Sequence, residues 1–201
     1  MVFSARTGGN LSDLASELFA EVFRLCPEAE DKIQIIEVAR YKVEPCNGCR
    51  YECLLGKESG YMCPISDDVV ALWRLALASK VLVYFVPAYG GMPPATWVAF
   101  RQRYHALLHH QPEALATKDG VVAAVTISEP LGTKAGDVSQ TVIRHSLAGG
   151  SRPLIFHESI VPSDYGLNSL RDRLVSHPAI LARLHAAAQQ VADAVKEPSG
   201  V

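Results

Sequence analysis

The chain has 201 residues, 49% of them hydrophobic and 20% charged, with a formal net charge of -2. That composition suits one globular domain over 1-201 with a sizeable core, and it offers no basic surface for nucleic acid. No apolar run is long enough to span a bilayer and no charged-then-apolar leader opens the sequence, so the expected setting is cytoplasmic, away from membranes, where five cysteines are not a disulfide framework.

In chain order, Met1-Val2-Phe3 is a very short apolar start. Ser4-Ala5-Arg6-Thr7-Gly8-Gly9-Asn10 follows, all small, polar or basic. Leu11, Leu14, Ala15, Leu18, Phe19, Val22 and Leu25 then form one helical stripe, ended by Cys26-Pro27. A glycine-containing loop that opens into a helix is an anion site, because the first-turn N–H groups are unpaired and the dipole end is positive. Arg6 and the hydroxyls of Ser4, Thr7 and Ser12 add to it. The plainer reading is an N-cap region with Asn10 or Ser12 as the cap.

Lys32–Val38 reads as a strand. Arg40–Pro64 is long and irregular and holds four of the cysteines. Ser66-Asp67-Asp68 caps a helix carrying Val69, Val70, Trp73, Leu75 and Leu77. Val81–Val86 is six apolar residues without alternation, the pattern of a strand buried on both faces. It empties through Pro87-Ala88-Tyr89-Gly90-Gly91 into Met92-Pro93-Pro94, and Trp97, Phe100, Tyr104 and Leu108 mark the next helix. Val121–Ile127 is a second buried run, Ser128–Gly136 a loop, and Val138, Thr141, Val142 and His145 a further helix. Leu154–Phe156 reads as a short last strand, His157–Asn168 as a loop, and Ile180, Leu184, Ala188, Val191 and Val195 as a C-terminal helix.

Strand–helix alternation over the whole length predicts an α/β fold with a parallel sheet covered by helices on both faces. The expected form is a three-layer, doubly wound, five-stranded flavodoxin-like sheet in the order 2-1-3-4-5, with a cysteine-rich insertion at about 44-66. Ligands of such sheets bind where strands 1 and 3 part. That topology makes neighbours of the Ser4–Ser12 and Pro87–Gly91 loops.

These same segments resemble the NADPH-dependent FMN reductases and iron–sulfur flavoproteins. Ser4 to Asn10 is similar to that family's phosphate loop, Ser-Pro-Arg followed after about two residues by Gly-Asn-Thr. Pro87-Ala88-Tyr89-Gly90-Gly91 is similar to its flavin loop, Pro-Val-Tyr-x-Gly. Ala99-Phe100 and Arg103 stand where the family has Ala-Phe and Arg, and Pro45-Cys46-Asn47-Gly48-Cys49 with Cys63-Pro64-Ile65-Ser66-Asp67-Asp68 resembles Pro-Cys-x-Gly-Cys and Cys-x-Ile-x-Asp-Asp. The chain departs in two places: Leu11 replaces the family's Thr, with Ser12 one place on, and only Met1–Phe3 precede the loop. The resemblance implies FMN, with contacts expected at Ser4, Arg6, Gly9, Asn10, Leu11 and Ser12, at Pro87, Ala88, Tyr89, Gly90 and Gly91, and at Ser128 and Gly132. It also implies a homodimer or homotetramer.

The cysteines run Cys46-x2-Cys49-x3-Cys53-x9-Cys63. Four cysteines so spaced suit a [4Fe-4S] cluster or a four-cysteine zinc site; the plainer readings are a loop of free thiols, or a redox-active Cys46/Cys49 pair. Gly48 is free to take positive φ, which would turn backbone N–H groups toward sulfur. His105 and His109 share a helix face but read as an exposed polar helix end with His110, and His145 and His157 as structural. No Ser-His-Asp set, paired-carboxylate set or Walker loop is present. Three functions follow: an FMN-dependent oxidoreductase in which a cluster passes electrons to FMN; an NAD(P)H-dependent FMN or quinone reductase without a cluster; and a non-catalytic flavin- or zinc-binding protein. The expected partner is a redox protein or a small-molecule acceptor.

Overall fold

Helical stripes and unalternating apolar runs become the layers of an α/β fold. The computed structural model describes residues 1–49, 63–89, 92–103, 120–128 and 153–196. Helix α1 spans Asn10–Leu25, α2 Val69–Ala78, α3 Ala95–Gln102 and α4 Pro178–Lys196, and the strands are β1 Val81–Ala88, β2 Val121–Ser128 and β3 Leu154–Ile160. The strands form one parallel sheet in the order β1-β2-β3, with β1 and β2 in register from Val81/Val121 to Ala88/Ser128.

Alternate residues of β1 feed two cores, as the pleat requires. Leu82, Tyr84, Val86 and Ala88 pack with Trp73 of α2 and Trp97 and Phe100 of α3. Val83 and Phe85 pack with Leu14, Leu18 and Val22 of α1 and Leu184, Ala188 and Val191 of α4. Seven consecutive residues of β1, Leu82–Ala88, are therefore buried. Trp73 stacks on Phe100 with ring centroids 4.0 Å apart, and its Nε1–H donates to the Phe100 carbonyl at 2.8 Å, satisfying the polar edge of a buried indole.

Three regular strands stand among the described residues, against the five expected. Lys32–Val38, expected as a strand, is an extended stretch between 3-10 turns over Pro27–Lys32 and Val38–Arg40. Its neighbour in the sheet is the Met1–Phe3 segment. Val2 makes single parallel bridges to Glu37 on one side and Phe85 on the other. Val2 N–H donates to Ile36 O at 2.8 Å, Val38 N–H to Val2 O at 3.0 Å, Phe85 N–H to Met1 O at 2.9 Å and Phe3 N–H to Phe85 O at 2.8 Å. The next ladder bond would run from residue 87 to Phe3 O. Residue 87 is proline and has no N–H, so the pairing ends and the Ser4 loop leaves the sheet there.

Other boundaries also move. Pro87 and Ala88, expected in a loop, are the last residues of β1, and Ser128 is the last residue of β2. Strand β3 runs on to Ile160 where a loop was expected after Phe156. His157, Glu158 and Ser159 are polar and only partly buried on this outer strand, so an apolar run underestimates its length. Helix α1 ends at Leu25 with Cys26 as C-cap, as expected, but its N-cap is Gly9 rather than Asn10 or Ser12.

Candidate functional site

The parallel bridges at Val2 bring the two glycine-containing loops to the same carboxyl edge of the sheet. One loop follows Phe3 and the other follows Ala88, whose strand is paired beside it. In the first, Gly8 has φ +64°, a conformation that favours glycine, with no described residue within 4 Å of an added Cβ. Gly9 is extended and is the N-cap of α1, with no side-chain cap bond. Asp13 N–H is the first to find a helical carbonyl, Gly9 O at 2.9 Å. The N–H groups of Asn10, Leu11 and Ser12 thus lack intrahelical acceptors, at the positive end of a sixteen-residue helix.

The side chains expected to aid them divide. Arg6 is exposed, and its guanidinium lies near Gly9, with Nε 3.5 Å from where a Cβ would sit. Ser4 Oγ accepts from Arg6 N–H at 3.4 Å, so its own proton can go to a ligand. Asn10 faces inward: its Nδ2 donates to Ser169 O at 2.7 Å and Asp172 O at 2.9 Å, and its Oδ1 accepts from Leu174 N–H at 2.9 Å. Its amide thus ties the start of α1 to the segment before α4, and only its backbone N–H remains for an anion. Ser12 Oγ donates to Glu37 Oε1 at 2.7 Å, which also accepts from Gly8 N–H at 3.0 Å. The Ser12 hydroxyl and the Gly8 amide hold the Glu37 carboxyl below the ordinary glutamate value.

In the second loop Tyr89 and Met92 exchange both backbone hydrogen bonds, Tyr89 N to Met92 O at 2.9 Å and Met92 N to Tyr89 O at 3.0 Å. Their side chains are 54% and 62% exposed, apolar surface set at the edge where the first loop emerges. Ser128 ends β2 opposite Ala88. It is 1% exposed, and among the described residues its hydroxyl has no hydrogen-bond partner. The hydroxyl stands at the carboxyl end of its strand, on the sheet edge the two loops share. Gly90, Gly91 and Gly132 lie outside the described residues. A cavity of about 500 Å³, lined by Met1, Ile36, Leu82 and Val191 among others, opens at the opposite, amino-terminal edge and does not touch either loop.

The cysteine segment is built differently. Gly48 has φ +62°, as its turn requires. Two of the segment's backbone donors go to oxygen: Cys46 N–H donates to Gln102 Oε1 at 3.4 Å and Cys49 N–H to Asn47 Oδ1 at 3.1 Å. Among the described residues no three Cys, His, Asp or Glu side chains come together as a metal site; Cys53 lies outside them, as do His105, His109, His110 and His145. The cluster expected at Cys46, Cys49, Cys53 and Cys63 is not shown among the described residues. Arg103 organises the segment instead. Its Nη1 donates to Asp67 Oδ2 at 2.8 Å and to Glu44 O at 3.1 Å, and its Nη2 to Asp67 Oδ1 at 3.0 Å. The two side chains are 1% and 0% exposed. Asp67 and Asp68, expected only as helix caps, also accept from Glu44 N–H and Lys42 N–H at 2.9 and 2.7 Å. A buried salt bridge was missed from sequence because Asp67 and Arg103 are distant in the chain. Cys26 is buried at the end of α1, apart from this segment, and burial pushes its thiol up.

No family model matches the chain, and no curated protein sequence matches it. Solved structures do. A flavone reductase superposes with TM-score 0.61 at 15% identity over 98% of this chain and 62% of its own. RosB, solved with a bound 8-demethyl-8-formylriboflavin-5'-phosphate intermediate, superposes with TM-score 0.53 at 15% identity over 99% of this chain and 79% of its own. The chain thus spans less than two thirds of the flavone reductase it matches, and what the two share with it is the fold.

Proposed function

We propose that this chain is a flavin-dependent oxidoreductase, an NAD(P)H-dependent FMN or quinone reductase without an iron–sulfur cluster. The observation that carries the reading is the meeting of the two loops at one sheet edge: first-turn amides of α1 without intrahelical acceptors, the exposed Tyr89, and a Ser128 hydroxyl with no partner among the described residues. This donor set suits a flavin mononucleotide, whose phosphate wants amides and a guanidinium and whose ring wants apolar surface with a few polar contacts. We read the Val2 bridges to Glu37 and Phe85 as rudimentary first and second strands, which makes the order 2-1-3-4-5 and the junction its switch point.

FMN, when bound, supplies the hydride and electron chemistry. The chain's part is binding and orientation. Arg6, Ser4 Oγ and the Asn10, Leu11 and Ser12 amides would hold the phosphate. Tyr89, with Gly90 and Gly91, would line one edge of the ring, and Ser128, with Gly132, would offer hydrogen bonds on another. The likeness to a flavone reductase and to a flavin-phosphate-binding protein supports this reading through the shared fold. The exposed apolar residues Tyr89, Met92 and Val98 suit a homodimer or homotetramer interface beside the flavin. No helix among the described residues is long and apolar enough to cross a membrane, and the proposed setting is the cytoplasm.

Titration with FMN tests the reading. Binding is expected, followed by bleaching of flavin absorbance when NADPH or NADH is added without oxygen. Arg6→Glu is expected to weaken FMN by about 1–3 kcal/mol, since an attractive phosphate contact becomes repulsive. Unchanged affinity with an intact circular dichroism spectrum would remove the Ser4–Ser12 loop from the site.

A further inference from the structure

The loop read as the phosphate site already holds an anion of the chain's own. Glu37 comes from the extended segment beside Val2, and its Oε1 accepts from Gly8 N–H at 3.0 Å and Ser12 Oγ at 2.7 Å. Its other oxygen accepts from Arg40 Nε at 2.8 Å. The glutamate side chain is 14% exposed, while Arg40 is 70% exposed and so compensates the carboxylate from the solvent side. Two donors that a glycine loop would aim at an incoming phosphate are therefore engaged. A phosphate dianion entering there meets a carboxylate at close range.

Resting on the flavin reading above, we propose that Glu37 is a specificity-determining residue of this loop, an internal carboxylate that competes with the flavin's phosphate for Gly8 N–H and Ser12 Oγ. The consequence is a flavin held less tightly through its phosphate than Arg6 and the three helix amides would hold it without that carboxylate. A carboxylate serving only to brace the loop makes a different prediction, because glutamine keeps a carbonyl oxygen for Gly8 and Ser12 while removing the charge that would oppose the phosphate.

Paired titrations with FMN and riboflavin on the full chain separate these cases, since the two ligands differ only by the phosphate. Glu37→Gln is expected to tighten FMN roughly tenfold or more while moving riboflavin by less than about twofold. If Glu37→Gln leaves FMN unchanged or weakens it while Arg6→Glu still costs FMN more than riboflavin, the competition is refuted and the loop remains the phosphate site. If the unmodified chain binds both flavins equally and Arg6→Glu alters neither, the loop assignment fails and the role of Glu37 fails with it. One measurement needs no variant: the unmodified chain should prefer FMN to riboflavin by less than about a hundredfold, and a preference of about a thousandfold with FMN retained through gel filtration overturns the proposal.

Discussion

The loop at residues 4–12 and the cysteine segment around residues 42–49 and 63–68 begin from the same local signal and end in opposite states. Each contains a glycine at positive φ, Gly8 at +64° and Gly48 at +62°, with no described residue within 4 Å of where a Cβ would be. Each sits beside polar residues in a motif-like order. In the first, a sixteen-residue helix starts immediately after the turn, and three of its amides have no intrahelical acceptor. In the second, the amides of Lys42, Glu44, Cys46 and Cys49 are taken by Asp68, Asp67, Gln102 and Asn47. The Gly8 amide is taken too, by Glu37, so the difference lies in the helix: its first three amides leave donors over, while the described amides of the cysteine turn are spent on side chains.

The sharpest break is Asp67→Ala. It leaves the Arg103 guanidinium buried without its carboxylate, and removing one partner of such a pair costs about 3–5 kcal/mol. A denaturant titration should show this as a large drop in the unfolding midpoint. A loss under about 1 kcal/mol would mean that Arg103 does not hold the segment.

Asn10→Ala tests the inward-facing part of the other region. Three bonds to the 169–174 segment go at once, with an expected loss of about 1–3 kcal/mol in thermal or chemical unfolding. Retained FMN affinity in that variant, beside reduced stability, would separate the side chain's structural role from the backbone amide it carries.

Acid sensitivity sharpens the comparison further. Glu37 is held below its ordinary value of 4.5 by Ser12 and Gly8, and less by Arg40. A depressed carboxyl contributes stability that is full above the unfolded value and lost as pH falls through the folded one. The unmodified chain should therefore lose more stability than Glu37→Gln as pH falls below about 4.5; parallel melting curves for the two would contradict the anchoring of that carboxylate.

The smallest effect is expected in the cysteine segment. Replacing Cys46 and Cys49 together by serine should change stability by less than about 0.5 kcal/mol and leave the FMN titration unmoved. A loss of flavin binding would tie the thiols to the site after all.

Much of this fold is legible in one dimension because burial imposes a local period. The stripe from Leu11 to Leu25 could only bury one face of a helix, and the unbroken Val81–Val86 run could only be a strand covered on both sides; both stand where expected. The glycine turns and the Cys26-Pro27 stop are legible for the same reason, since backbone sterics act between neighbours. The second half of β3 is not legible in the sequence, because polar residues at partly exposed positions carry no apolar signal. Partnership was not legible at all. Asp67 with Arg103, Asn10 with the 169–174 segment, and Glu37 with Gly8 and Ser12 pair across 36, up to 164, and up to 29 positions. Chain packing alone determines which donor is spent and which remains free. Sequence determined where this protein turns and what it buries; tertiary structure decided which of its turns still have hydrogen bonds to offer.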